Sequence, residues 1–202
     1  MGGPSEQADF LNGCVLLDTS LTPAELMNEL RKIEAQHGRQ RRVRWAARTL
    51  DLDLLLYGEQ VIEENDREPH HLQIPHPRMT FRPFVIGPAA EVAPQHRHPL
   101  LGATIAELNA RLNTGTDQAA FVGGSQEQRA SVKREISRIA PGVRVSAGPH
   151  SAGPHSAGSP KLQICFDDTP PMPGTPALWL PADDAQNDWS ELHAAIACLW
   201  PA

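Results

Sequence analysis

Residues 44–58 read Arg44-Trp45-Ala46-Ala47-Arg48-Thr49-Leu50-Asp51-Leu52-Asp53-Leu54-Leu55-Leu56-Tyr57-Gly58. From Thr49 to Tyr57 this run has the composition of a strand, and a glycine ends it. Strand side chains alternate between faces, so Asp51 and Asp53 point one way while Leu50, Leu52 and Leu54 point into a core. Two carboxylates one strand repeat apart repel each other unless a hard cation lies between them. Mg²⁺ suits that place, because it takes one or two carboxylates together with substrate phosphates. The competing reading is an ordinary amphipathic strand with its acidic face in water.

Upstream of this pair the chain is strongly basic. Seven basic residues and a single acid, Glu34, lie between Arg31 and Arg48. Arginine forks match phosphate oxygens, and phosphoryl transfer depends mainly on charge and positioning. A solvated basic loop or an RNA-binding patch competes with that reading, although Trp45 alone offers little base stacking. The chain has neither G-x-x-x-x-G-K-[ST] nor G-x-G-x-x-G. A bound nucleotide is therefore held by side chains rather than by a glycine-rich nest.

Further outward, Phe10 to Leu17 reads as a buried strand. Thr22-Pro23-Ala24-Glu25 opens a helix with Thr22 as cap and Glu25 closing a capping box; Leu26, Leu30 and Ile33 form its apolar stripe, and His37-Gly38 ends it. Gln60 to Ile62 is a short strand, and residues 63–83 are a proline-punctuated ordered loop. Short helices are expected over 84–93 and, capped by Thr104, over 104–112. A boundary is expected near residue 113, followed by a polar Gly-rich stretch over 113–125 and a helix over 126–140. Ser146-Ala147-Gly148-Pro149-His150 then recurs as Ser151-Ala152-Gly153-Pro154-His155 and, truncated, as Ser156-Ala157-Gly158-Ser159-Pro160. Such a repeat buries nothing and reads as a linker. Two short strands, 162–166 and 177–180, and a helix over 189–199 complete a small α/β unit.

The whole-chain arithmetic narrows the class. The 202 residues suit one or two domains, and no run of 18 apolar residues forms a membrane span. The first residues lack the basic and apolar segments of a signal peptide. A net charge of −6 excludes a chain built mainly to coat nucleic acid. Cys14, Cys165 and Cys198 are widely spaced, without metal-ligand spacing, and read as reduced thiols of a cytoplasmic protein. The 15 glycines and 19 prolines are an excess that points to loops and linkers. Asp167-Asp168 and Asp183-Asp184 read as solvated turns rather than as metal sites.

The long motif, together with Ile74-Pro75-His76-Pro77-Arg78-Met79-Thr80-Phe81-Arg82-Pro83-Phe84, resembles 6-hydroxymethyl-7,8-dihydropterin pyrophosphokinase of folate biosynthesis. Asp9-Phe10-Leu11-Asn12 and Ile33 to Arg39 fit the same family in order and spacing, and the resemblance covers roughly residues 3–112. It implies an α+β, ferredoxin-like sandwich. It also implies an ATP-dependent diphosphotransferase that moves the terminal pyrophosphate of ATP to the hydroxymethyl oxygen of the pterin and releases AMP. On this resemblance Asp51 and Asp53 bind two Mg²⁺ ions. ATP is held by Glu34, Arg41, Arg44, Arg48, Leu54, His76 and Arg82, with the three arginines on a loop that closes over the substrates. The pterin lies between Phe10 and Phe84, with Asn12 at its ring edge, Trp45 as a lid and Pro4 nearby. Neither a membrane nor a nucleic acid is an expected partner.

Two departures stand out. Ala46-Ala47 replaces the Gly-Pro usual in the family. The family's opening strand–helix–strand is also absent, so a chain truncated at its start, with an exposed apolar edge, is expected. Beyond residue 113 the resemblance stops, leaving an extension of unassigned role. Beside the enzyme reading stands a catalytically inert relative that keeps a pterin or nucleotide half-site.

Overall fold

The computed structural model describes residues 11–38, 50–63, 72–146, 159–167, 169–180 and 189–200. The first helix, α1 (Pro23–Gln36), starts as expected: Thr22 accepts from the Glu25 amide, the Glu25 carboxylate accepts the Thr22 N–H at 2.8 Å, and His37 is the C-cap. Two antiparallel two-residue strands follow, β1 (Ile62–Glu63) and β2 (Gln73–Ile74), and then α2 (Pro83–Val92) and α3 (Ile105–Thr114). Thr104 and Glu107 cap α3 by the same reciprocal box.

The extended segments expected over 10–17 and 49–57 are not strands among the described residues. Neither forms a strand ladder among the described residues, and Leu11, Val15, Leu16 and Leu17 are exposed. A strand exists only through its partners' hydrogen bonds, so apolar composition alone produces none. No described strand from elsewhere covers this edge.

The regular sheet lies later in the chain. Strands β3 (Thr116–Val122), β4 (Arg144–Ser146), β5 (Pro160–Cys165) and β6 (Ala177–Trp179) form an all-parallel sheet in the order β4-β3-β5-β6. Helix α4 (Gln126–Ile139) connects β3 to β4, and α5 (Ser190–Leu199) closes the chain. The mixed α and β class therefore holds, with a four-stranded parallel sheet where two short strands were expected. The polar, Gly-rich stretch over 113–125 is in fact the central strand β3. Its Ala119–Val122 run and the Leu162–Cys165 run of β5 are buried without alternation, as in a parallel sheet covered on both faces. Gln163, fully buried in β5, anchors the loop before β6 by donating to the Met172 and Thr175 carbonyls and accepting from the Met172 N–H.

At the end of β3 the chain turns through Gly123 and Gly124, with φ of +67° and +78°. Asp167 fills this turn, its carboxylate accepting the Gly124 N–H at 2.8 Å and the Thr169 N–H at 2.9 Å. The Gly124 N–H, followed by Thr169, holds the Asp167 carboxyl down at about 2. A Cβ on Gly123 would sit 2.0 Å from the Asp167 carboxylate. Gly123→Ala is therefore expected to cost about 1–2 kcal/mol in backbone strain, with Asp167 displaced as well. Thermal unfolding of the variant measures that loss.

One hydrophobic cluster runs through the chain, from Met79 and Phe81 through Ile86 and Leu108 to Phe121, Ile164, Leu192 and Ile196. Residue 113, near which a boundary is expected, lies in the last turn of α3, and this core includes residues on both sides of it. In the loop before α3, His98 is buried, with its Nδ1 accepting the Leu101 N–H at 3.3 Å. Burial pulls its proton affinity down from 6.5 to about 4. The unfolded chain takes up this proton at higher pH, so the stabilisation is complete above about 6.5 and is lost as the pH falls towards 4. The drop amounts to about 3 kcal/mol. Urea unfolding at pH 7 and pH 4.5 is expected to reveal this slope, and His98→Asn, which keeps an acceptor for Leu101, to flatten it.

Candidate active site

The site is built where the 50–57 segment meets the turn after β2. The Leu55 carbonyl accepts the His76 N–H at 2.9 Å, and Tyr57 donates its hydroxyl to the Leu21 carbonyl at 2.5 Å. Leu55 and Leu56 pack against the core. Asp51 and Asp53 are exposed while Leu52 and Leu54 are half-buried, so the two carboxylates share the open face as the alternation predicted. Glu34 lies beneath this segment rather than on its open face. It is buried, and its Oε1 accepts the Leu52 N–H at 2.8 Å. Its carboxylate thereby orients the backbone between the two aspartates.

The opposing wall is the turn His76-Pro77-Arg78-Met79, which follows the cis Ile74–Pro75 bond and is closed by the Met79 N–H on the His76 carbonyl at 3.1 Å. His76 Nε2 lies 3.9 Å from the Asp53 carboxylate. Its Nδ1 accepts the Arg78 N–H at 3.2 Å, so a neutral ring carries its proton on Nε2, towards Asp53. Burial lowers the proton affinity of His76 below the usual 6.5; Asp53 pulls it back up, and Arg82 and Arg78 push it down. Arg82 is the N-cap residue of α2, with its guanidinium 5.8 Å from the centre of the Phe84 ring. Phe84 is 45 % exposed and so is not a core aromatic. Asn12 is exposed too. Pro4, Phe10, Arg41, Arg44, Trp45 and Arg48, expected at the substrates, lie outside the described residues.

No group of three or more His, Cys, Asp or Glu side chains with metal-holding geometry occurs among the described residues. The exposed Asp51–Asp53 pair nevertheless fits Mg²⁺, which completes its shell with water and substrate phosphate rather than with a protein cage. Sequence reasoning did not single out Arg78 or Glu191, whose side chains form an ion pair at the back of the turn. Arg78 was visible within the His76–Arg82 motif, but Glu191 lies 113 residues away, and no local signal joins the two.

Asp53 faces His76, with Asp51 on the same open face and Arg78 and Arg82 acting on His76 from the turn. Residues 2–94 match the sequence model of 7,8-dihydro-6-hydroxymethylpterin-pyrophosphokinase. The chain is similar to the 2-amino-4-hydroxy-6-hydroxymethyldihydropteridine pyrophosphokinase of Synechocystis, with 48% identity over 102 residues covering 50% of each protein. The enzyme of the same name from Pseudomonas aeruginosa is 45% identical over 97 residues, covering 48% of this chain and 57% of that protein. A folate synthesis bifunctional protein of Chlamydia trachomatis is 33% identical over 115 residues, 54% of this chain and 25% of that protein. The chain thus spans about half the length of the pyrophosphokinases it matches.

Proposed function

We propose that residues 1–112 form the catalytic part of a pyrophosphokinase of folate biosynthesis acting in the cytoplasm, with residues 113–202 as an added unit. The reaction transfers pyrophosphate from ATP to 6-hydroxymethyl-7,8-dihydropterin and leaves AMP. The observation that carries this reading is the placement of Asp51 and Asp53 on one open face, with Asp53 opposite His76, inside a stretch matching the family.

In this reading Asp51 and Asp53 hold the metal, two Mg²⁺ ions by the family pattern. When bound, Mg²⁺ neutralises and orients the triphosphate for in-line displacement. His76 offers its Nε2–H to a phosphate oxygen and Arg82 offers its guanidinium fork, an acceptor match that lysine reproduces less well. Leu54 lies beside the nucleotide, and Glu34 acts through the Leu52 amide it holds. Phe84 presents an exposed ring for stacking on the pterin, opposite Phe10. Asn12 reads the ring edge with an amide that both donates and accepts. Arg41, Arg44, Trp45 and Arg48 belong to the closing loop, which excludes water and aligns the attacking oxygen, with Pro4 at the pterin.

Calorimetric titration with a non-hydrolysable ATP analogue tests the reading. Binding that requires Mg²⁺ is expected. Equal affinity with and without Mg²⁺ would reject the roles of Asp51 and Asp53.

A further inference from the structure

The turn that carries His76 and Arg82 has a second side, seated on chain about a hundred residues later. Thr80 is buried, and its hydroxyl donates to the Ala177 carbonyl and accepts the Ala177 N–H, both at 3.2 Å, on strand β6. Met79 and Phe81 flank it and are fully buried in the cluster that contains Leu192 and Ala195 of α5. Arg78 pairs with Glu191 in the first turn of α5. The Arg78 N–H in turn donates to His76 Nδ1, and His76 Nε2 faces Asp53. A continuous line of contacts therefore runs from Glu191 through Arg78 and His76 to Asp53. The Glu191 carboxylate also acts electrostatically on Arg82.

We propose that Glu191 is a positioning residue: by holding Arg78 it fixes the His76–Arg82 turn, so the unit beyond residue 113 is a structural arm of the phosphate-binding wall. For its effect on nucleotide affinity the proposal rests on the pyrophosphokinase reading, but its geometric part does not. The Arg78 and Glu191 side chains are 43% and 31% exposed, and pairs at such exposure add little to global stability. What the pair fixes is the direction of Arg78, whose backbone N–H selects the His76 tautomer. Without Glu191 the guanidinium is free to swing towards Asp53, where it competes with a cation, and the turn loses its tether on that side.

The test uses the full chain with Glu191→Gln and Glu191→Asp. Two quantities are read: amide hydrogen exchange over residues 76–82, and separate affinities for the Mg²⁺–ATP analogue and for the pterin. Glu191→Gln is expected to keep the wild-type unfolding temperature within about 4 °C. It should speed exchange at the turn about tenfold and weaken the nucleotide about five- to tenfold, the size of one charge-assisted hydrogen bond. The pterin affinity should stay unchanged, and Glu191→Asp should restore both exchange and nucleotide affinity. Unchanged exchange in Glu191→Gln overturns the proposal. So does an equal loss for both ligands with a lowered unfolding temperature, because that makes Glu191 merely structural. If the wild-type chain binds no nucleotide while exchange responds as described, the pyrophosphokinase reading fails and the positioning role stands.

Discussion

Asp53→Asn is expected to weaken Mg²⁺-dependent nucleotide binding about 100-fold, some 2.8 kcal/mol, while leaving Mg²⁺-independent binding unchanged. Asparagine keeps the shape of aspartate beside His76 Nε2, 3.9 Å away in the native chain. The substitution therefore removes the charge and little else. A hard cation gains most from anionic oxygen, and a neutral amide cannot balance the load of a triphosphate-bound ion. Asp51→Asn is expected to behave alike, because both side chains occupy the same open face. Calorimetry with and without Mg²⁺ checks both. Near-native Mg²⁺-dependent affinity in both variants would leave the pair as no more than the acidic face of an extended segment.

Leu192→Ala is expected to destabilise the whole chain by about 3 kcal/mol, since truncating a fully buried leucine loses transfer free energy and leaves a cavity. For a chain of this size that lowers the unfolding temperature by roughly 6–12 °C. The informative part is where the effect is felt. Leu192 belongs to α5, yet its cluster includes Met79 and Phe81, which flank Thr80 in the site's own turn. One cooperative transition shifted as a unit is expected by circular dichroism and by tryptophan fluorescence. Two transitions, with only the later one moved, would show that the regions on either side of residue 113 fold separately.

The helices were legible because their signals are local. Thr22 with Glu25, and Thr104 as a cap, announce helix starts within four residues, and both caps form. The Asp51–Asp53 alternation is equally local, and burial follows it. Long-range pairing was not legible. Residues 10–17 and 49–57 have the composition of strands, but a strand is stabilised by neighbours that no short window contains. The reverse error occurred at β3. Thr116, Asp117 and Gln118 read as a polar boundary, but Asp117 is paired with Lys161 and with the Trp200 indole, and the Thr116 hydroxyl donates to the Ser159 carbonyl. Partners more than 40 residues away made a polar stretch the opening of the central strand. Strand β4, only three residues long beside the Ser-Ala-Gly-Pro-His repeat, carried too little pattern to stand out.

The same division applies to the site. The family motif placed Asp51, Asp53, His76, Arg82 and Phe84 in one working set, and the Asp53–His76 approach brings two of them together. Burial of Glu34 under Leu52 and the reach of Glu191 to Arg78 depend on how α1 and α5 pack. Neither relation has a spacing that a sequence displays.

The most direct test of the central claim is to incubate the folded chain with Mg²⁺, ATP and 6-hydroxymethyl-7,8-dihydropterin and to separate the nucleotide products. AMP formed in equal amount to the pterin diphosphate, dependent on the pterin and lost in Asp53→Asn, is the predicted result. ADP in place of AMP, or no turnover by cooperatively folded protein that binds both substrates, would contradict it.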